Sequence, residues 1–175
     1  MKNYLCRPER KDRVTKLLSL ALLVLSVLTF YLSSLFPSLK AIGQLLSVVM
    51  LLLFVQITTK YLLTDYRYGF EEGCLVLSSR QGKQEKSLGS IPITSESLLL
   101  TRKEWEEKKK DKHKRPAKSF SYCQNLFPEN PYYLLTPEGD GFVLLVFEPD
   151  KPLLALLKKE IQSNQSHNKG AFDHG

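Results

Sequence analysis

The sequence predicts two membrane-crossing helices in a hairpin, followed by a mainly β domain of about seven strands closed by a C-terminal α-helix. Three observations predict this. Residues 17–63 are almost free of charge, whereas residues 64–175 hold most of the Lys, Arg, Asp and Glu. Residues 64–147 break into short apolar runs divided by turn residues. Past residue 150 the apolar period changes from two to that of a helix.

Leu17 to Phe36 is a run of twenty residues without a charge. At about 1.5 Å per residue it covers roughly 30 Å, the hydrocarbon thickness of a bilayer. A second uncharged run, Ala41 to Thr59, extends apolar to residue 63 apart from Lys60. Only Pro37, Ser38, Leu39 and Lys40 separate the two, enough to turn the chain and make the helices antiparallel neighbours. The first run is too long for the apolar region of a cleaved signal peptide, and a second span follows at once.

Charge sets the expected orientation. Lys2, Arg7, Arg10, Lys11, Arg13 and Lys16 fall in the flank 1–16, Lys60 and Arg67 follow the second run, and the connecting loop has only Lys40. The positive-inside rule then places both termini in the cytoplasm, in a multi-pass protein of the cell membrane. Ser19, Ser26 and Ser33 recur every seven residues and share one face of the first helix. Gln44, Ser47 and Thr58 share a face of the second. A hairpin centred between Ser38 and Leu39 sets Ser33 against Gln44 and Ser19 against Thr58, a polar seam of the kind that joins membrane helices. The uncharged seam does not read as a transport path, which would want an ionisable group at midplane.

In the soluble part, Tyr66, Tyr68 and Phe70 alternate at period two before a Glu71-Glu72-Gly73 turn. Strands are expected at Cys74–Ser78, Glu85–Leu88, Leu98–Thr101, Ser119–Cys123, Tyr132–Thr136 and Phe142–Phe147, the last two joined by the five-residue loop 137–141. Asp150 reads as an N-cap and Pro152 as a first-turn residue of a helix over 151–161. Leu153, Leu157 and Ile161 form its apolar stripe. Residues 163–175, small and polar, read as a disordered tail.

The entry Tyr61-Leu62-Leu63-Thr64-Asp65, the Gly82 hairpin, and the strand Phe142–Phe147 running through Asp150 into helix 151–161 together resemble the bacterial pleckstrin-homology-like (PH-like) domains found behind transmembrane hairpins. The resemblance covers residues 61–162. It implies a PH-like barrel over 64–162 with the helix across one end, and an interaction role. Lipid-binding PH domains grip headgroups with basic residues in the first hairpin loop; the acidic Glu71-Glu72 turn here departs from that.

No GxSxG, Walker, HExxH or GxGxxG pattern is present, so no enzyme, cofactor or catalytic residue is expected. His113, His167 and His174 lie in a charge run or the tail and read as solvated; no metal site is expected. Cys6, Cys74 and Cys123 have no regular spacing and read as reduced thiols, Cys6 being a candidate for acylation beside the first span. The run 102–118 holds nine basic residues against four acids: Arg102, Lys103, Lys108, Lys109, Lys110, Lys112, Lys114, Arg115 and Lys118. It reads as a loop dispensable for folding, and as a candidate arm for anionic lipid with Trp105 as interfacial anchor. Sparse aromatic interleaving speaks against nucleic acid. The expected function is a membrane-anchored interaction or scaffold module. The alternatives are a non-specific anionic-lipid sensor and an accessory subunit of a membrane enzyme or transporter. Its expected partners are the bilayer, a membrane or cytoplasmic protein, or a second copy.

Overall fold

The apolar runs form the two expected helices, α1 (Asp12–Leu35) and α2 (Lys40–Ile57), the latter continuing as a π-helical turn over Thr58–Leu63. This is a computed structural model describing residues 4–38, 40–109, 116–139 and 141–172, with side chains for all of these but Asp12 and 167–172. The chain divides into two units, Arg10–Asp65 and Met1–Glu9 with Tyr66–Gly175. In the first, the segments Arg13–Leu35 and Lys40–Leu63 are long and apolar enough to cross a membrane. Their Leu, Val and Phe side chains point mostly outward, since a hairpin of two helices has only one seam in which to bury anything.

That seam is polar. Ser19, Ser26, Ser33 and Ser47 are all buried, and Gln44 and Thr58 are half-buried. Ser26 and Ser47 bond reciprocally: each Oγ donates to the other's carbonyl at 2.9 Å, with the hydroxyls 3.2 Å apart. Ser19 and Ser33 instead donate to carbonyls of their own helix, Lys16 and Phe30. The expected register does not hold: Ser33 lies against Gly43 in place of Gln44, and Ser26 meets Ser47. A Cβ on Gly43 would stand 2.2 Å from the Ser33 Cβ, so the helices approach closely there because glycine has no side chain. At the open end, the Arg10 guanidinium donates to the Thr64 carbonyl at 2.9 Å and to Asp65 at 2.7 Å, clasping the start of the hairpin to its finish.

Gly43→Leu is expected to force the helices apart, because the obstructing atom is the Ser33 Cβ and not the end of a flexible chain. A Ser26→Cys, Ser47→Cys pair should cross-link readily in the parent and poorly with Gly43→Leu added. Equal cross-linking in both would refute the close approach.

In the second unit, β1 (Tyr4–Cys6), β2 (Thr64–Glu71), β3 (Cys74–Gln81) and β4 (Gln84–Pro92) form one sheet in that order. The second sheet has the order β5 (Leu98–Thr101), β7 (Tyr132–Glu138), β8 (Gly141–Phe147), β6 (Pro116–Ser121). All its pairs are antiparallel except β6 with β8. Helix α3 (Arg102–Lys108) follows β5, and α4 (Lys151–Phe172) follows β8. The expected order of apolar hairpin, strands and final helix holds, but the barrel does not. The strands form two separate four-stranded sheets, eight strands among the described residues in place of about seven.

The sheets share one core. Tyr68, Leu75 and Leu77 from the first meet Leu134, Leu145 and Phe147 from the second, and Leu153, Leu157 and Ile161 of α4 complete the cluster. Asp150 caps α4 as expected, accepting from the Leu153 N–H at 2.9 Å. That helix continues through the segment expected to be disordered, as far as Phe172. At the β2–β3 turn, Glu72 and Gly73 have φ of 48° and 76°, the left-handed pair that a two-residue hairpin needs. The β7–β8 connection is tighter than the expected five residues, since Glu138 already pairs with Gly141. Asp140 lies outside the described residues.

Candidate functional site

The N-terminal flank is part of a sheet. Tyr4, Leu5 and Cys6 pair with Phe70, Gly69 and Tyr68, so residues before and after the helical hairpin join in one ladder. Tyr4 and Cys6 face the core, and Leu5 faces outward, 53% exposed. The Tyr4 hydroxyl donates to the Asp150 carboxylate, which also caps α4. The alternation Tyr4-Leu5-Cys6 is the signal that could have found this strand, obscured by the basic residues around it.

Cys6 is 1% exposed, which removes it from reach of an acyl donor and corrects its reading as an acylation site. Burial pushes its thiol up to about 11; a backbone hydrogen bond at Asp150 opposes the rise, and the charge and side chain of Asp150 add to it. The hydrogen bond to Asp150 pushes the Tyr4 hydroxyl up to about 12 from an ordinary value near 10. Both groups are held protonated in the fold, and the unfolded chain ionises first as pH rises. The stability they confer is therefore complete below about pH 9 and falls as pH climbs through about 11 to 12. Tyr4→Phe should remove the tyrosine's share of this alkaline loss, as seen by urea midpoint against pH. An unchanged alkaline limb would refute the assignment.

The basic run is only in part a loop. Arg102–Lys108 is helix α3, opened by a capping box. The Glu104 side chain accepts from the Thr101 N–H at 2.7 Å, and that backbone bond holds its carboxyl below the usual carboxylate range. Trp105 is 7% exposed, stacked on Tyr133 with ring centroids 5.8 Å apart, in a cluster with Leu100, Leu135 and Leu144. It is a core residue of the second sheet, which corrects its expected role as an interfacial anchor and the dispensability of its run. Helical spacing explains this: Trp105 faces the sheet while Arg102, Lys103, Lys108 and Lys109 are exposed. Lys118 is exposed on β6, 3.9 Å from Glu138. Lys110, Lys112, Lys114, Arg115, His113 and His174 lie outside the described residues, as does the side chain of His167. A cleft of about 380 Å³ opens beside Arg102 and Lys103, lined also by Thr101, Glu129, Asn130, Pro131 and Tyr132. Among the described residues no group of His, Cys, Asp or Glu is placed to hold a metal.

A second site escaped sequence reasoning. The segment between β6 and β7 is fastened at its start. The Tyr68 hydroxyl donates to the Tyr122 carbonyl at 2.6 Å. The buried Gln124 accepts from the Tyr66 N–H at 2.9 Å, and the Asn125 amide donates to Glu148 and, at 3.0 Å, to the Glu9 carbonyl. Tyr66 and Glu9 are the residues at which this unit gives way to the hairpin. Beyond these fixed points, Leu126 is half-buried and Phe127 is 67% exposed.

The chain matches no family model, no curated protein and no solved structure.

Proposed function

We propose that this chain is a membrane-anchored interaction module, with α1 and α2 crossing the bilayer as a hairpin and the β unit held at the cytoplasmic face. The observation that carries this reading is the pairing of β1 with β2. The hairpin lies between these strands in sequence, so a chain that crosses the membrane must return to the side it left. Six basic residues in the first sixteen, against Lys40 alone in the connection, favour the cytoplasm for that side. The work of the module is to hold a protein partner at the membrane. Strand β4 is the outer edge of its sheet and almost wholly exposed, an edge to which an extended peptide of a membrane or cytoplasmic protein can add.

Accessibility of introduced cysteines in intact cells tests this. An impermeant maleimide should label Ser38→Cys and leave Lys86→Cys, on β4, unlabelled until the cells are opened. The reverse pattern sinks the orientation, and release of the protein by alkaline carbonate sinks the anchor. A lipid-surface sensor is the second reading, favoured by the exposed Arg102, Lys103, Lys108 and Lys109 along α3. Salt-sensitive orientation of the β unit on anionic vesicles, lost when these four are replaced, would support it.

A further inference from the structure

The exposed Phe127 belongs to neither core cluster of the β unit. Burying it would be favourable, yet it projects from a loop whose base is tightly bonded. Among the described residues of this unit, the other large apolar side chains left exposed are Leu5 and Phe120, at 53% and 41%, and Phe120 stacks on Tyr122. Phe127 has no such partner among the described ring contacts, and Pro128 follows it.

Its place in the fold is specific. Gln124 and Asn125 bond Tyr66 and Glu9, the residues at which the chain leaves for the hairpin and comes back. Phe127 follows two residues later. A bilayer crossed by the hairpin begins a few residues from those same two points, and covalent attachment keeps it there at high effective concentration. A protein partner would have to arrive by diffusion and fit a patch of two side chains. Acidic Glu9 and Glu129 and basic Arg7, Arg102 and Lys103 all lie nearby, so it is the apolar tip that sets this place apart.

We infer that the tip Leu126-Phe127-Pro128 is a membrane-contact site that inserts into the headgroup–acyl boundary of the bilayer the hairpin crosses. It fixes the β unit at a second point besides its covalent connections, so the unit is held at a set height and tilt. Apolar and aromatic side chains at this depth are the usual means by which surface segments bind lipid. The inference rests on the membrane-spanning reading and adds a site to it.

The test is Phe127→Trp in the full chain, reconstituted into phosphatidylcholine vesicles with lipids brominated near the head end of the acyl chain. Trp105, the sole native tryptophan, is buried from both quenchers, so the parent supplies a constant background to subtract. Emission from position 127 should be largely quenched by bromolipid and little by aqueous iodide, while Phe120→Trp should show the reverse. Quenching of position 127 by iodide and not by lipid overturns the inference. So does shielding from both quenchers, which would mean that a second copy covers the tip. Either result with carbonate-resistant protein leaves the membrane-spanning reading standing. Carbonate-extractable protein removes that reading and this one with it.

Discussion

Trp105→Ala should destabilise the β unit by about 3–5 kcal/mol, the usual cost of emptying a buried aromatic site. Against a typical total of about 5–15 kcal/mol this is a large share. The indole fills the gap between α3 and the second sheet, stacked on Tyr133 and in a cluster with Leu100, Leu135 and Leu144. Its loss leaves α3 with no buried side chain, because Trp105 is the one buried residue of that helix. Lys103→Ala and Lys108→Ala, both on the exposed side, should change little. Cys6 and Cys123 are buried in this unit, so their reaction with a thiol reagent across a urea series follows its unfolding. An unshifted midpoint for Trp105→Ala would return the residue to the surface and reopen its role at a lipid interface. The same packing predicts that replacing 102–118 by a Gly/Ser linker unfolds or loosens the unit.

Leu157→Ala should cost about 2–5 kcal/mol, and Lys158→Ala almost nothing. Leu157 is fully buried midway along the stripe Leu153, Leu157, Ile161, in one cluster with Tyr68, Leu75, Leu145 and Phe147. These come from both sheets. The helix is therefore the element across which two open sheets find a common core, and a cavity at Leu157 weakens all three layers. The thiol assay serves again, with Cys6 the more informative group, because it belongs to this cluster and Cys123 does not. A variant that exposes Cys6 no more easily than the parent would mean that α4 packs elsewhere.

The hairpin, the strands and the final helix were legible because each is written locally. Twenty uncharged residues specify a membrane-length helix in any context. Tyr66, Tyr68 and Phe70 alternate because one side of β2 is buried and the other is not. Asp150 and the Leu153–Leu157–Ile161 stripe start and orient α4 through contacts within four residues of one another. Ser26 and Ser47, whose hydroxyls bond across the hairpin, lie on the helix faces that their local spacing gives.

What joins these pieces was not legible. Strand pairing is non-local, and nothing in residues 4–6 names Phe70, Gly69 and Tyr68 as partners more than sixty residues away. Nor does strand order along the chain decide between one closed barrel and two open sheets. That depends on β6 pairing in parallel with β8 and on α4 filling the space between the layers. The register that seats Ser33 on Gly43 and Ser26 on Ser47 follows from how closely two backbones can approach, a property of the pair and of neither helix. Trp105 shows the limit most plainly. A tryptophan in a run of charges reads as surface by composition, and one turn of helix placed against β7 makes it core. Local periodicity thus determined which elements form, while contacts between distant residues determined which faces they bury and which, as at Phe127, they leave exposed.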